Sequence, residues 1–271
     1  MIVDAKRSIS LGVREKRAAV AVPTPAPAPG TAFPPRRLTL RGAPVFELGL
    51  WCGTCPALLK RMSEPDRADL EVVNERLNAG LGAVEADVLR AYGKVLPKSQ
   101  YSALLLDLTP QLVTPGSRFD YFSHEQVATW GVDPVVGSPE DPATPYYRSF
   151  ETPVGPEQHL YEFIVPMVPP SWNDDDRVAE YDKNSRATLP TAVAYSLLDV
   201  IQPAMDEGHD YYEHWVLTHF LLDGHHKVAA AAATERPVRL LSLVDERISI
   251  ASPDELGLLV GARSGPRRAR V

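Results

Sequence analysis

The sequence contains only two cysteines, Cys52 and Cys55, in 271 residues. A protein held together by disulfide bonds needs several cysteine pairs, so this class is excluded. The chain also lacks a run of about 20 apolar residues, the length that crosses a bilayer. Residues 1–22 lack the apolar run of about 7–15 residues that a signal peptide needs. We therefore expect a cytoplasmic protein that has reduced thiols and no membrane partner.

Positive charge is also in short supply. The chain has 28 Lys and Arg against 35 Asp and Glu, a net charge of −7. This balance argues against a protein that coats nucleic acid or anionic lipid, so no nucleic-acid partner is expected. Hydrophobic residues make up 44% of the chain, enough for a sizeable core. The length is typical of one large domain or two small ones.

Proline, in contrast, is abundant, with 26 residues, and six of the thirteen residues at 23–35 are proline. Such a segment favours an extended polyproline conformation. The patterns together predict an α+β fold, a mixed sheet with flanking helices. Four parts are predicted: a disordered tail and proline-rich linker at 1–36, an N-terminal α+β part at 37–150, a C-terminal part at 151–261 and a basic tail at 262–271.

Hydrophobic spacing and turn residues predict the secondary structure. Strands are predicted at 38–40, 45–50, 159–168, 211–222 and 236–244. Helices are predicted at 56–62, over most of 64–95, and at 123–131, 190–205, 228–234 and 252–260. The apolar segment 101–108 fits either a strand or a buried helix, and the rest of 110–156 is predicted to be irregular.

The most regular part of the chain is a strand, the turn DGHHK, a helix and a second strand. The alanine run Ala229–Ala233 is typical of a helix. Gly224 allows a tight turn at the end of the strand. The helix N-terminus offers free N–H groups and a partial positive charge. Together with His225, His226 and Lys227 it predicts a phosphate pocket. The alternative is that these residues only form the turn.

Residues LLDGHHKVAAAAA followed by VRLLSLV resemble the strand–G-[HEC]-[RH]-[RK]–helix–strand core of the ParB/sulfiredoxin-like superfamily. The segment LLDVIQPA is similar to the part of the family that ends in Gln-Pro, and the resemblance covers residues 190–245. It implies that nucleotide phosphates bind at Gly224, His225, His226 and Lys227. It further implies ATP or CTP with Mg²⁺ as cofactor, and Asp223 and His226 as candidate catalytic groups.

The chain departs from the family at three points. Sulfiredoxin chemistry needs a cysteine directly after the glycine, where this chain has His225. The final arginine is replaced by Lys227, which contacts phosphate as a point charge. About 27 residues follow Val244, too few for the DNA-binding domain of a partition protein. We therefore expect a small-molecule phosphotransferase or nucleotide hydrolase, or a binding protein that has lost catalysis.

The segment WCGTCP, residues 51–56, resembles the W-C-x-x-C site of thioredoxin-like oxidoreductases. A helix N-terminus at Cys52 would stabilise its thiolate, and Cys55 could then resolve a mixed disulfide. The mostly helical prediction for 64–95 does not fit a thioredoxin fold. The cysteines could instead be small buried side chains or half of a zinc site, although no second pair exists. Thiol–disulfide exchange is therefore the alternative function.

Five histidines fall within eighteen residues. Two of them, His214 and His219, have opposite parity along the predicted strand, so we expect their side chains on opposite faces of the sheet. One metal ion could not reach both, and no metal site is predicted.

Overall fold

The computed structural model describes residues 1–24, 35–64, 73–132, 141–174, 176, 178–179, 181, 189–202 and 212–264. The strands in these residues are β1 Ile2–Leu11, β2 Val20–Ala21, β3 Pro35–Leu40, β4 Ala43–Leu50, β5 Lys60–Arg61, β6 Ser99–Leu108, β7 Gln111–Val113, β8 Tyr146–Gly155, β9 Gln158–Pro166, β10 Thr191–Ile201, β11 Glu213–Asp223 and β12 Val238–Asp245. The α-helices are α1 Asn74–Ala79, α2 Ala86–Tyr92, α3 Gln126–Trp130, α4 His225–Ala233 and α5 Pro253–Arg263.

The strands form two sheets. The larger has the order β1-β6-β12-β10-β11-β9-β8-β7, and the smaller has the order β2-β3-β4-β5. Two neighbouring pairs of the large sheet, β10–β12 and β9–β11, are parallel, while β10–β11 and β6–β12 are antiparallel. Helices pack on both faces, since Leu77 of α1 joins one apolar cluster and Leu256 of α5 joins the other. The predicted α+β class with a mixed sheet is therefore confirmed.

Strand β10 lies in the middle of the large sheet and is buried on both faces. Alternate side chains pack into two separate apolar clusters. Tyr195 and Leu197 belong to one cluster, and Ala194 and Leu198 belong to the other. Such a strand has a continuous apolar sequence, which periodicity alone cannot distinguish from a buried helix. The helix predicted over 190–205 is therefore wrong for the described residues.

The disordered tail predicted over 1–36 is wrong where the structure describes it. Strand β1 pairs antiparallel with β6 at the edge of the large sheet. Strand β2 and the start of β3 belong to the small sheet. Strand β6 is almost wholly buried, so its backbone needs hydrogen-bond partners on both edges, and residues 2–11 supply one set. Residues 25–34, the centre of the predicted linker, lie outside the described residues.

The C-terminal secondary structure follows the prediction closely. The strands at 159–168, 211–222 and 236–244 and the helices at 228–234 and 252–260 are confirmed by β9, β11, β12, α4 and α5. Helix α5 begins with a capping box, in which Ser252 and Glu255 each accept from the other's backbone N–H. It ends at Arg263, so the start of the predicted basic tail is helical, and residues 265–271 lie outside the described part.

The N-terminal half deviates more. Strands β3 and β4 confirm the predictions at 38–40 and 45–50. The segment 101–108, which fitted either a strand or a helix, is part of strand β6. A π-helical turn, Tyr121–Glu125, leads into α3, so the short helix predicted near 123–131 is confirmed. The helix at 56–62 is wrong, because the chain is extended there and contains β5. The described part of 64–95 holds the short helices α1 and α2.

The long irregular stretch predicted over 110–156 contains two strands, β7 and β8, at the edge of the large sheet. The boundary proposed between residues 150 and 151 falls inside β8. Strand β6, from the proposed N-terminal part, lies between β1 and β12. The large sheet is thus built from segments on both sides of that boundary.

A buried ion pair joins α5 to the large sheet. Glu162 on β9 and Arg263 on α5 are both almost inaccessible to solvent, and Arg263 Nη2 lies 3.2 Å from Glu162 Oε1. Ser149 donates a further hydrogen bond of 2.6 Å to Oε1. Burial raises the pKa of a carboxyl, but the Arg263 guanidinium and, after it, the His219 ring outweigh burial and hold the pKa of Glu162 far below its ordinary value. The carboxylate therefore stays charged in the core.

Replacing Glu162 by Gln should destabilise the protein by roughly 3 kcal/mol or more, because Arg263 would keep its charge without a buried counter-ion. Urea unfolding measures the free energy. The matched control is Glu47→Gln, since Glu47 pairs with Arg37 at the surface and such pairs contribute about 1 kcal/mol at most. Equal losses in the two variants would contradict the assignment of a structural role to the buried pair.

Candidate functional site

The DGHHK turn connects β11 directly to α4. Gly224 is the N-cap of the helix and has a φ of 93°, in the left-handed region that favours glycine. A Cβ atom at this position would lie 2.6 Å from Ala192 Cβ on the neighbouring strand β10. Turn geometry and the close approach of β10 therefore both require the glycine, without reference to a ligand.

The structure brings the predicted phosphate-binding residues together, but their described contacts are within the protein. Lys227 is 4% exposed, and its Nζ donates to the Thr191 carbonyl at 2.9 Å. The same Nζ lies 3.5 Å from Asp223 Oδ1. The ammonium thus lies against β10 and the end of β11, and Asp223, a candidate catalytic group, is its counter-ion.

The two histidines of the turn hold the loop that follows β9. The backbone N–H of Met167 donates to His225 Nε2 at 3.2 Å, and that of Asp174 donates to His226 Nε2 at 3.1 Å. Burial lowers the pKa of His225 to about 4, which keeps the imidazole neutral and able to accept. In both contacts Nε2 accepts a hydrogen bond from the protein backbone, so this nitrogen does not donate to a phosphate in this arrangement.

The WCGTCP segment lies in a turn after β4, and the helix expected after it is absent from residues 51–64. Both backbone groups of Ala57 are bound by the side-chain amide of Gln126, with N–H to Oε1 at 2.8 Å and Nε2 to the carbonyl at 3.1 Å. These contacts replace the helical hydrogen bonds that Ala57 would need. The prediction of a helix N-terminus at Cys52 is therefore wrong.

Local hydrogen bonds stabilise the Cys52 thiolate instead. The Thr54 hydroxyl lies 3.0 Å from Cys52 Sγ, and the Thr54 backbone N–H donates to it at 3.4 Å. Partial burial works to raise the pKa of Cys52, but these two contacts and a hydrogen bond from Cys55 outweigh it, so the pKa is below its ordinary value. Both cysteines are partly exposed, and a lowered pKa on an accessible thiol is typical of a reactive cysteine.

Both thiols line a pocket between the small and the large sheet. Its empty volume is about 460 Å³, including the solvent space at its mouth. Most of the lining side chains are apolar and come from β4, β10, β11 and the segment 56–59, among them Leu48, Leu197 and Phe220. The pocket is therefore a mainly apolar recess that has two thiols on its wall, with Arg36, Asp199 and Thr218 as its other polar lining residues.

A buried ion pair lies in the same wall. Arg36 on β3 and Asp199 on β10 form a bidentate pair, in which Nη1 lies 2.9 Å from Oδ1. Arg36 Nη2 also donates to the Leu48 carbonyl, and the N–H of Ile250 donates to Asp199 Oδ1. The guanidinium lies 5.7 Å from the ring centre of Trp51, next to Cys52. The pair carries no net charge and joins the two sheets beneath the thiols.

Sequence reasoning missed Arg36, Asp199, Gln126 and Thr54. Arg36 stands at the end of the predicted linker, and Asp199 lies within the predicted helix. A lone carboxylate in the apolar run LLDVI was the available signal, because such a residue needs a buried partner. Gln126 and Thr54 carry no comparable signal, since their roles depend on which backbone segment folds beside them.

His214 and His219 lie on opposite faces of the large sheet, as their positions along β11 predicted. The His214 ring accepts or donates a 2.7 Å hydrogen bond with Tyr121, and His219 Nδ1 lies 2.8 Å from Ser196 Oγ, on the other face of β11. Among the described residues, no group of three or more His, Cys, Asp or Glu side chains is placed to hold a metal ion. Of the helices within the described ranges, none is long and apolar enough to cross a membrane.

No protein-family model, curated protein or solved structure matches the chain. The ParB/sulfiredoxin-like resemblance of residues 190–245 and the thioredoxin-like resemblance of residues 51–55 stay predictions. Function is therefore inferred from the geometry of the described residues.

Replacing Thr54 by Val should raise the pKa of Cys52, because one of the hydrogen bonds that stabilise the thiolate is lost. In a Cys55→Ser background, the pH profile of the iodoacetamide labelling rate reports this pKa directly. We expect slower labelling at pH 6 and little change well above the thiol pKa. Thr54→Ser is the matched control, since it keeps the hydroxyl. Identical profiles for the Val and Ser variants would exclude a role for the hydroxyl.

Proposed function

We propose that the protein catalyses thiol–disulfide exchange, with Cys52 as the nucleophile and Cys55 as the resolving thiol. The observation that carries the proposal is the convergence of the Thr54 hydroxyl and backbone N–H on Cys52 Sγ, on the wall of a pocket that Cys55 also lines. These contacts and Cys55 lower the pKa of the Cys52 thiol. Cys55 stands three residues after Cys52, a spacing from which a second thiol can attack a mixed disulfide at the first. A thiolate at neutral pH is the reactive form in such exchange.

The chemistry requires only these two residues and a disulfide substrate. The Cys52 thiolate attacks one substrate sulfur, a mixed disulfide forms, and the other substrate sulfur leaves as a thiolate that takes a proton from water. Cys55 then loses its proton and attacks Cys52 Sγ, which releases the second substrate thiol. The substrate disulfide gains two electrons, and the Cys52–Cys55 disulfide forms. A low-molecular-weight dithiol can reduce the protein again.

The fold holds the thiol turn at both ends. Gln126 binds the backbone of Ala57 on one side, and the N–H of Gln202, just after β10, donates to the Gly53 carbonyl at 2.9 Å on the other. A Cβ atom on Gly53 would lie 3.5 Å from the Val200 carbonyl oxygen, so the turn packs directly on β10. The turn that carries both thiols is thereby held in place, which favours the intramolecular resolving step over release.

The test begins with the reduced protein and a stoichiometric amount of an aromatic disulfide. We expect a Cys52–Cys55 disulfide by peptide mass mapping, a stable mixed disulfide at Cys52 in Cys55→Ser, and far slower reaction in Cys52→Ser. Iodoacetamide should label Cys52 at pH 6 several times faster than it labels free cysteine. If neither thiol reacts faster than free cysteine and no intramolecular disulfide forms, the proposal is wrong.

Nucleotide binding at the start of α4 is the second candidate. It is supported by the position of Gly224 between β11 and α4 and of three basic residues in the first turn of α4, as the ParB/sulfiredoxin-like resemblance requires. In this hypothesis the turn binds ATP or CTP with Mg²⁺, and the protein is a phosphotransferase, a nucleotide hydrolase or a non-catalytic binding protein. The cost is that Lys227 would have to leave Thr191 and Asp223. A cytoplasmic location, common to both candidates, also stays a prediction.

Melting curves with ATP, ADP, CTP and GTP, each with and without Mg²⁺, test this candidate in wild type and Lys227→Met. The contacts of Lys227 predict that the variant melts at a lower temperature without any nucleotide, because Asp223 loses its buried counter-ion. A bound nucleotide at about 100 times its dissociation constant would stabilise wild type by about 2.7 kcal/mol. Lys94→Met, at an exposed position, is the control. An absence of any nucleotide shift in wild type rejects the candidate.

A further inference from the structure

The apolar pocket touches both thiols, so a molecule bonded to Cys52 Sγ has its substituent at the mouth of the pocket. Cys52 and Cys55 line the same recess as Leu50, Leu58 and Ile250, which are half-buried, and Val216, which is buried on β11. The recess therefore adjoins the bond that forms in the proposed exchange reaction.

The charges of the pocket are internally balanced. Both terminal nitrogens of Arg36 are engaged by Asp199, and Nη2 also by the Leu48 carbonyl, so neither is open to a substrate carboxylate. The Nε of Arg36 has no hydrogen-bond partner among the described residues, but it is buried and does not reach solvent. Asp199 likewise accepts from Arg36 and from the N–H of Ile250. A charged substrate group would lose its water without gaining a counter-ion, whereas an apolar group gains by leaving water.

We infer that this pocket binds an uncharged aliphatic or aromatic substituent of the disulfide substrate and so selects apolar disulfides over anionic ones. The inference rests on the proposed thiol–disulfide exchange and names its substrate class. In the first step the Cys52 thiolate bonds to the sulfur that carries the apolar substituent, and the other half of the substrate leaves toward solvent. Selection occurs before the Cys55 step, because it depends on which sulfur Cys52 attacks.

The test uses the full chain with Cys55→Ser, so that Cys52 is the remaining thiol. Its rate of reaction is measured with uncharged methyl, propyl and hexyl methanethiosulfonates and with the anionic sulfonatoethyl reagent. In each case the reagent sulfur bonds to Cys52 and methanesulfinate leaves. Every rate is divided by the rate of free cysteine with the same reagent. Because each buried methylene stabilises the bound state by about 0.8 kcal/mol, the normalised rate with the propyl reagent should be about ten times that with the methyl reagent. The normalised rate with the anionic reagent should be lower than that with the propyl reagent.

Two pocket variants and one control test whether the dependence of the rate on chain length arises in the pocket. Ile250→Trp and Leu58→Trp narrow the recess and should each lower the propyl-to-methyl ratio toward that of free cysteine. Leu258→Trp adds the same side chain at an exposed position on α5, outside the pocket, and should leave the ratio as it is. Melting curves identify a variant that does not fold, in which case the other pocket variant decides.

The outcomes separate this inference from the proposed function. If Cys52 reacts faster than free cysteine but shows no dependence on chain length, or prefers the anionic reagent, the inference is overturned and thiol exchange stands. If Cys52 reacts no faster than free cysteine with iodoacetamide or with the methyl reagent, the proposed function itself fails. A chain-length effect that Ile250→Trp and Leu58→Trp remove and Leu258→Trp keeps supports the inference.

Discussion

The Arg36–Asp199 pair is the contact on which the arrangement around the thiols depends. It joins β3 of the small sheet to β10 of the large sheet, and both charges are largely removed from water. Removing ions from water is costly, and the bidentate geometry with additional backbone hydrogen bonds offsets that cost. An apolar pair of similar size would fill the space, but it would not fix one sheet against the other with the same directionality. Both residues of the pair also line the pocket.

The two candidate sites differ in where their polar groups are directed. In the DGHHK turn, Lys227 and both histidines are bound by carbonyl, carboxylate and backbone N–H groups of the protein. The glycine is explained by the closeness of Ala192. In the WCGTCP turn, the hydrogen bonds converge on a partly exposed sulfur and stabilise its charged form. The polar groups of the DGHHK turn are paired with one another and with the backbone, which is typical of a structural turn. The hydrogen bonds of the WCGTCP turn activate an accessible sulfur, which is typical of a reactive site.

The sequence predicted the α+β class and most of the C-terminal elements, because local signals are strong there: the alanine run of α4, the capping residues of α5 and the β-prone residues of β11. Strand β10 could not be predicted, since burial on both faces erases the alternation that marks a strand. Strand β1 depends on an edge that β6 offers far along the chain, which no local pattern contains. The cysteine motif was visible, but the source of thiol activation was not, because Thr54 and Gln126 act through the shape of the turn.

The position of β6 has a consequence for how the chain reaches this state. Its two neighbours in the sheet are β1, near the start of the chain, and β12, formed by residues 238–245. During synthesis, the leucine-rich strand β6 therefore has one edge uncovered until residues 238–245 are available to pair with it. Pairings over such long sequence separations form slowly, and an uncovered apolar edge is a template for contacts with other chains. The apolar stretch Leu104–Leu106, which is buried in the folded protein, is thus open to contacts with other chains until β12 covers it.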